Sequence, residues 1–453
     1  MKNLFKFTFA LCAFAVAVTA TSCGDDDEGV SGTVVKVTFD NSNATAVLEA
    51  YAADVVVDRY ATLAKASKSL YEAVEAVEDA IENAESVVGT GATPTVGYST
   101  ATIANIKAKL STAADAWKTA RIAWERTEAY LFGPVDAYGI DPGIDSWPLD
   151  LADLAETIIE YADGDFSATD IQNDGGDLKG FHAIEFMLFA DGAAKETINS
   201  WSTGYGTEYG FGDAAGAPTD AQLASYLVAI TKELYRCTSL LVLAWDEDLS
   251  VANISSSDLL SGTDEGDLAD EDGNASDGNY YATFTTAGQT GNSEYPNVSI
   301  ALSTILEAAA GIADEVGSVK IADPIKSRSV LDVESWFSYN SVTDFTNNIV
   351  GIKEAYFGKQ YADDMSVSAI LADETVDENS ISAYIAAADS NLDLDVKLAI
   401  YTAIAKVNNM ETPFRDNLTW TTENTAAAAA CAALLEALET AQGAINDGFY
   451  IMY

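Results

Sequence analysis

The sequence predicts an all-α protein made of two helical-bundle domains. Apolar residues recur at helical spacing over long segments, and alanine fills many of the positions between them. The lengths of these segments favour antiparallel bundles. The predicted helices are 44–86, 101–132, 150–162, 177–190, 219–248, 297–317, 328–358, 380–410 and 424–447.

The first residues have the pattern of a bacterial lipoprotein signal. Lys2 and Lys6 precede an apolar stretch that is too short to span a bilayer, and small residues lead to Cys23. We expect residues 1–22 to be a cleaved signal peptide and Cys23 to be lipidated. Residues 23–39 begin with an acidic run and are expected to form a tether. An ordinary cleaved signal followed by a chance cysteine is the alternative.

The acidic run after Cys23 bears on the cellular location. It resembles the export tags of outer-membrane lipoproteins of the Bacteroidetes, although a solvated tether would have the same composition. We therefore expect a protein of the cell envelope that is anchored to the outer membrane by a lipid. The periplasmic face and the cell surface both remain open.

Residues 250–295 separate the two predicted domains, 40–249 and 296–453. This stretch is rich in Gly, Ser, Asp and Thr and lacks helical periodicity. Its aspartates suggest a calcium loop, but no register of them fits the pattern of an EF-hand. We predict a solvated acidic insertion or linker.

A short internal repeat links the two halves of the chain. The segment Glu128-Ala-Tyr-Leu-Phe-Gly133 recurs as Glu354-Ala-Tyr-Phe-Gly358, with one residue fewer. Both copies end a long predicted helix. This pattern predicts that the two bundles are related by internal duplication.

The charge balance excludes some classes of partner. The chain has 71 acidic and 23 basic side chains and a net charge of −48. Such a surface repels nucleic acids and anionic lipid headgroups. It suits cations, but it also suits simple solubility. Cys237 and Cys431 lie in predicted helices and form no Cys-x-x-Cys motif, so we expect buried thiols rather than a thiolate zinc site, with a disulfide as the alternative.

His182 is the only histidine of the chain, so zinc sites that need two histidines are excluded within one chain. On a helix, His182 and Glu185 lie on one face, one turn apart. Gly180 lacks a side chain and permits another backbone or a ligand to approach. Further ligands would be carboxylates, which favours iron or calcium over zinc or copper. A core histidine that is paired with Glu185 remains the structural alternative.

The segment Gly133–Pro148 is the second candidate for a functional site. Three aspartates, Asp136, Asp141 and Asp145, alternate here with aromatic residues that include Trp147. A rigid, acidic and aromatic loop after a helix end is typical of a cleft wall. Solvated structural pairs are the alternative.

Three separate motifs resemble those of one known family. Gly180-Phe181-His182-Ala183-Ile184-Glu185 resembles the Gly-x-His-x-x-Glu motif of the imelysins, also called the insulin-cleaving membrane protease family. The family's first-domain signature resembles Trp124-Glu125-Arg126-Thr127-Glu128 with Phe132-Gly133-Pro134 and Ile144-Asp145-Ser146-Trp147-Pro148. Its second-domain signature resembles Ser327-Arg328, Glu334-Ser335-Trp336-Phe337-Ser338 and Asn348-Ile349-Val350-Gly351-Ile352. The resemblance extends from about residue 40 to the C-terminus.

The resemblance implies two related helical bundles with a site at their interface, and a role in iron uptake together with other uptake components. The motif residues would be Gly180, His182 and Glu185. The metal ligands would be His182, Glu185, Glu128 and Asp145, and the further site residues Arg328 and Trp147. Iron is the expected ion, ahead of calcium and zinc. The family name leaves open a metallopeptidase with a single-histidine site, and a non-catalytic surface module that binds protein or glycan is a third possibility.

Overall fold

The structure is a computed structural model. It describes residues 34–36, 41–84, 86–88, 96–173, 175–202, 205, 209–211, 216–270, 273–447 and 450–452. The predictions for the signal peptide, for Cys23 and for most of the 23–39 tether lie outside the described residues.

The described chain is mainly helical, as predicted. The helices are α1 (Asn41–Ala50), α2 (Asp58–Glu82), α3 (Thr100–Thr127), α4 (Pro134–Ala137), α5 (Ile140–Ile144), α6 (Leu151–Asp163), α7 (Ala168–Asn173), α8 (Gly180–Leu188), α9 (Asp220–Trp245), α10 (Tyr280–Thr285), α11 (Val298–Asp314), α12 (Ala322–Ser327), α13 (Ser341–Phe357), α14 (Val367–Ala372), α15 (Ile381–Ala388), α16 (Ser390–Val407) and α17 (Thr422–Asp447). A π-helical turn, Tyr51–Val57, joins α1 to α2, and a second, Glu315–Ile321, joins α11 to α12. The 3₁₀ turn Glu128–Tyr130 extends α3.

Three short antiparallel pairs of strands accompany the helices. The strands are β1 (Val34–Lys36), β2 (Ser86–Val88), β3 (Val96–Tyr98), β4 (Phe189–Ala190), β5 (Ala193–Ala194) and β6 (Tyr450–Met452). They pair as β1 with β6, β2 with β3, and β4 with β5. Sequence analysis predicted none of these strands, because two or three residues are too few to establish a period of two.

The ends of the long helices follow local capping chemistry. The Ser99 hydroxyl accepts the Thr102 N–H at the start of α3, and Asn297 does the same for Ile300 at the start of α11. Thr219 and Gln222 form a reciprocal capping box at the start of α9. Most predicted helix boundaries were therefore close to the observed ones.

The long helices form two bundles, as predicted. The first contains α2, α3, α8 and α9, and the second contains α11, α13, α16 and α17. The two bundles meet where α3 crosses α13, and the glycine at this crossing, Gly351, permits the contact. A Cβ at Gly351 would overlap the backbone of Arg126. The domain boundaries at residues 249 and 296 stay predictions.

One predicted helix, 328–358, was wrong over its first 13 residues, and another, 380–410, is divided at Asp389 into α15 and α16. The segment 328–358 was expected to be a single helix, but α13 begins at Ser341. Arg328, Ser335 and Tyr339 all have positive φ values, which an α-helix does not allow. Residues 328–340 instead form a turn-rich segment that we call the 328–340 loop. Its residues Trp336 and Phe337 are buried.

The insertion at 250–295 packs back onto the first bundle. Lys65 donates a hydrogen bond to the Asn253 carbonyl, and Tyr235 donates one to the Asp258 carbonyl. The ring of Tyr280, on α10, occupies the space that a side chain at Gly133 would need. The insertion therefore packs along α2 and α9 and against Gly133.

Both copies of the internal repeat lie at helix ends. Glu128 follows α3, and Glu354 lies in the last turn of α13. Each is buried and pairs with a basic residue that lies in, or directly after, a π-helical turn of the other half: Glu128 with Lys320, and Glu354 with Arg59. These matched contacts agree with the predicted duplication, which stays a prediction.

Cys237 and Cys431 are free and buried, in agreement with the preferred expectation. Within the described residues, no helix is both long enough and apolar enough to cross a bilayer.

Candidate metal centre

Gly180 brings the motif helix against the Gly133–Pro148 segment. It begins α8 with a φ of 75°, in the left-handed region that favours glycine. A Cβ at this position would overlap the carbonyl of Ile144. Because Ile144 directly precedes Asp145, this backbone approach places His182 beside Asp145.

The imidazole of His182 lies between two carboxylates. Its Nδ1 is 3.2 Å from Glu185 Oε2, and its Nε2 is 3.3 Å from Asp145 Oδ1. Nε2 makes no hydrogen bond of normal geometry, although the side chain is only 2% exposed. The half-buried ring of Trp147 lies edge-on to the imidazole, with the ring centroids 5.9 Å apart. Nε2 is thus the atom of His182 that is available to bind a further ligand.

Glu185 is held by the 328–340 loop. The backbone N–H and the hydroxyl of Ser338 both donate hydrogen bonds to Glu185 Oε1, at 2.8 and 2.7 Å. The β4–β5 hairpin fixes this loop, because Gly192 N–H donates to the Phe337 carbonyl at 2.9 Å. Glu185 faces the Nδ1 side of His182. It orients the ring and lies on the side away from Asp145.

Glu334, from the same loop, faces Nε2. Its Oε1 is 3.9 Å from His182 Nε2, and its side chain is fully buried. Oε1 also accepts hydrogen bonds from Arg121 at 2.5 Å and from Lys320 at 3.0 Å. Its other oxygen, Oε2, has no hydrogen-bond partner. The loop that was wrongly predicted as helix therefore supplies a carboxylate to the site.

Arg121 lies at the centre of the charged cluster. Its guanidinium forms ion pairs with Glu125, Asp145 and Glu334 and lies 3.5 Å from Asp344. Trp124, one turn along α3, donates its indole N–H to Asp145 Oδ2 at 2.6 Å. These contacts fix the Asp145 carboxylate in front of His182.

A second basic residue, Lys320, enters from the π-helical turn between α11 and α12. Its Nζ lies 2.9 Å from Glu128 Oε2 and 3.9 Å from Glu125 Oε2. Asn348, on α13, donates to the same two carboxylates at 2.5 and 2.6 Å. The cluster therefore joins residues of both bundles.

Buried carboxylates outnumber cations in this cluster. The carboxylates are Glu125, Glu128, Asp145, Glu185, Glu334 and Asp344, and the fixed cations are Arg121 and Lys320. Burial raises the pKa of Asp344 to about 7 against the opposing effect of Arg121, and burial also raises the pKa of Glu125 and of Glu128 well above the usual value. Protons on these buried carboxylates reduce the crowding of negative charge, and a metal ion bound among them would replace those protons.

The two key ligand candidates differ in their electrostatics. Burial by itself lowers the pKa of His182, but the adjacent carboxylates of Asp145 and Glu185 outweigh burial and raise it to about 9. Burial raises the pKa of Asp145, but Arg121, with His182 and Lys320, holds it well below the usual range. Without a metal ion, the structure therefore favours a charged Asp145 carboxylate beside a protonated imidazole, and a metal ion at Nε2 would displace that proton.

The donor atoms fit a metal ion. Among the described residues, His182, Asp145 and Glu334 each offer a ligand atom within 4.8 Å of the others. Two ligands that lie about 2.1 Å from one ion are about 3 to 4 Å apart. The distances of 3.3 and 3.9 Å from His182 Nε2 to the two carboxylates match this spacing. One imidazole with carboxylates suits iron or manganese better than a soft ion.

The structure brings together most of the predicted site residues, but in unequal roles. His182 and Asp145 face each other, Glu128 lies beyond Lys320, and Trp147 covers the cluster. Glu185, a predicted ligand, contacts the opposite nitrogen of the imidazole. Arg328 ends α12 as an exposed residue, and none of its described contacts joins it to the cluster.

The sequence did not predict four residues of the cluster: Glu334, Arg121, Glu125 and Lys320. Glu334 and Glu125 lie within the family signatures, but each falls in a segment whose pattern predicts a continuous helix. Arg121 precedes its signature by three residues. Lys320 lies in a segment without any motif, and its role depends on a contact across 192 residues of chain.

A sequence model of the imelysin family matches residues 47–441. This chain belongs to the imelysin family. The resemblance drawn from its three motifs is thereby confirmed, and the match covers both helical bundles.

Two relatives carry names that refer to iron. The imelysin described here is 27% identical over 253 residues to iron-regulated protein A of Synechococcus elongatus, which corresponds to 56% of this chain and 54% of that protein. It thus spans about half the length of this curated relative. It also resembles the crystal structure of an iron-regulated protein A precursor from Parabacteroides distasonis, with 27% identity, a TM-score of 0.64, and coverage of 91% of this chain and 97% of that one.

Proposed function

We propose that this imelysin binds a metal ion, iron, at the interface of its two bundles, through His182 Nε2, Asp145 and Glu334. The observation that carries the proposal is a buried imidazole nitrogen without a hydrogen-bond partner, next to carboxylates from both bundles. Glu185 would orient the imidazole through Nδ1, as carboxylates do for many metal-binding histidines. The iron-related names of the two relatives support iron as the ion.

The contacts of Glu185 do not favour hydrolysis. A metallopeptidase needs a general base near the metal-bound water. Glu185 Oε1 already accepts two hydrogen bonds from Ser338, and Oε2 lies against His182. Binding without turnover is therefore the function that this geometry supports best.

The experiment is anaerobic equilibrium dialysis against ferrous iron, followed by elemental analysis of the folded protein. We expect near-stoichiometric uptake by the wild type and loss of uptake in His182→Ala and in Glu334→Gln. Asp393→Asn is the matched control, because Asp393 is a buried carboxylate of the second bundle that contacts Ser382, Tyr356 and Lys397 instead.

Two results would contradict the proposal. The first is that the wild type takes up no iron. The second is that His182→Ala lowers the melting temperature but leaves iron uptake unchanged. The second result would identify His182 as a core residue. Parallel dialyses against calcium and zinc identify the preferred ion.

The location in the cell envelope belongs to the same proposal. The small residues before Cys23 support lipidation of this cysteine. Labelling of cells with a radioactive fatty acid should mark the wild type, and Cys23→Ser should remain unmarked and leave the membrane fraction. Poorer growth of a deletion strain on limiting iron would support a role beside other uptake components.

A further inference from the structure

A second set of oxygen ligands adjoins the one at His182. Carboxylate oxygens of Glu125, Glu128, Asp145 and Glu334 all lie within 4.8 Å of one another, and all four residues are buried. Two of them, Asp145 and Glu334, also belong to the set that contains His182. The cluster thus has two adjacent cation positions with two carboxylates in common.

The ammonium group of Lys320 lies at the second position and contacts three of its four carboxylates. Its Nζ lies 2.9 Å from Glu128, 3.0 Å from Glu334 and 3.9 Å from Glu125, and its side chain is fully buried. Glu315, which is 37% exposed, lies 3.8 Å from the same nitrogen at the rim of the cluster. Lys320 is therefore surrounded by oxygens in the manner of a bound cation.

Two buried atoms of the cluster still lack a hydrogen-bond partner. They are Glu334 Oε2 and Asn348 Oδ1, both from side chains that are fully buried. Asn348 is independent of the acidic set and contacts it, because its amide nitrogen donates to Glu125 and Glu128. The ammonium group of Lys320 makes two hydrogen bonds, to Glu128 Oε2 and Glu334 Oε1, and leaves Glu334 Oε2 without a donor. The position thus has more oxygen donors than lysine requires.

We propose that Lys320 acts as a built-in cation that fills the second of two metal positions bridged by Asp145 and Glu334. The wild-type chain would then take one metal ion where its carboxylates could hold two. Carboxylates that project into the core hold pairs of metal ions in other helical bundles, and here Asp145 and Glu334 reach the core from segments that connect the helices. This inference rests on the proposed function, since it assigns the number of ions to the same site.

The test replaces the ammonium group and counts ions. Lys320→Met keeps an unbranched side chain that is one atom shorter and removes its charge, and Lys320→Gln removes the charge but keeps a polar end. Folded proteins are dialysed against ferrous iron or manganese and analysed for metal content. We expect a doubling of the metal bound per chain in both variants, from one ion to two. Lys353→Met is the matched control, because Lys353 is a buried lysine that donates to backbone carbonyls of Ile370 and Asp373, and its metal content should equal that of the wild type.

An unchanged metal content in both folded variants overturns the inference, because Lys320 would then be a structural ion pair only. If the variants do not fold without metal, the test is refolding in the presence of manganese, which shows whether a second ion can replace the ammonium group. Recovery of the helical circular dichroism signal supports a second ion, and no recovery overturns it.

The wild-type measurement separates this inference from the proposed function. If the wild type and Lys320→Met each take up one ion, the proposed metal binding stands. The proposal that Lys320 fills a second metal position is then overturned. No uptake by the wild type overturns the function. If the wild type takes up no ion but Lys320→Met binds one, Lys320 still fills a metal position. If neither protein binds an ion, the proposed function and the role of Lys320 both fail.

Discussion

His182 is placed by a residue that carries no side chain. Gly180 combines a positive φ with close contact to the Ile144 carbonyl, and this contact sets the distance between His182 and Asp145. At the scale of single residues, the site therefore depends on backbone shape as much as on ligands.

Gly180→Ala should lower the free energy of unfolding by about 3 kcal/mol, from the unfavourable φ and the overlap with Ile144 together. Chemical denaturation measures the effect. Gly139→Ala is the control, since Gly139 also has a positive φ but no atom near its missing side chain, and it should cost only about 1 kcal/mol. Equal losses in the two variants would show that the contact with Ile144 is unimportant.

Lys353 provides a test of pH dependence away from the metal centre. Burial lowers its pKa to about 8, although Asp373 partly opposes this, whereas an unfolded lysine titrates at about 10.4. The unfolded state therefore binds more protons between these values, and the contribution of Lys353 to stability rises as pH increases through this range. The urea midpoint of the wild type should rise relative to that of Lys353→Met between pH 7 and pH 9.5. A constant difference would contradict the depressed pKa.

At the scale of elements, the bundles are joined by the crossing of α3 and α13 and by the 328–340 loop. Gly351 allows the two helices to touch, and the loop carries Glu334 and Ser338 into the site. The sequence predicts neither feature, because Gly351 is a single glycine within a predicted helix and the pattern of residues 328–340 predicts the start of that same helix.

Gly351→Ala should destabilise the protein although alanine is the better helix former. A Cβ would overlap the Arg126 backbone, and overpacking of this kind costs about 1 to 3 kcal/mol. Gly443→Ala on α17 is the control, because that position has open space, and it should gain up to about 1 kcal/mol. Thermal unfolding of both variants gives the comparison, and stabilisation by Gly351→Ala would rule out a tight crossing.

Ser338→Ala removes the hydroxyl that holds Glu185 and leaves the backbone hydrogen bond in place. Because Glu185 orients the His182 ring, metal affinity should fall about tenfold. Titration calorimetry with ferrous iron or manganese measures this change. The control is Thr346→Ala on α13, whose hydroxyl donates to its own helix. An unchanged affinity in Ser338→Ala would remove Glu185 from the metal site.

At the scale of the whole molecule, the proposed ion links the two bundles. Asp145 lies at the end of the first-bundle segment Gly133–Pro148, and Glu334 lies in the loop before α13 of the second bundle. An ion bound by both should therefore protect both segments together, and it should stabilise the protein by about 2.7 kcal/mol at a hundredfold excess over Kd.

Hydrogen exchange with and without iron tests this linkage. We expect slower exchange of amides in 140–148 and in 330–340 on addition of iron, and unchanged exchange in α7, which lies outside the cluster. Protection of one segment alone would show that the ion does not bridge the bundles, and His182→Ala should abolish both effects.

The amino-acid sequence by itself determined the helical class, the two bundles and most helix ends, because hydrophobic periodicity and capping residues act locally. It also pointed to Gly180, His182, Glu185 and Asp145, since these lie in short, unusual motifs. The motifs placed Glu128 among the predicted ligands, but no local pattern in the sequence predicts that Lys320 lies next to it.

Only the tertiary structure decided how these groups meet. Glu334 and Lys320 approach His182 and Glu128 across long stretches of chain, and Glu185 reaches Ser338 across 153 residues. Such contacts depend on how two bundles pack and on a loop that departs from helical geometry, and neither follows from local periodicity. The physical reason is that a charged cluster at an interface is a property of the packing of helices, whereas each helix is largely a property of its own sequence.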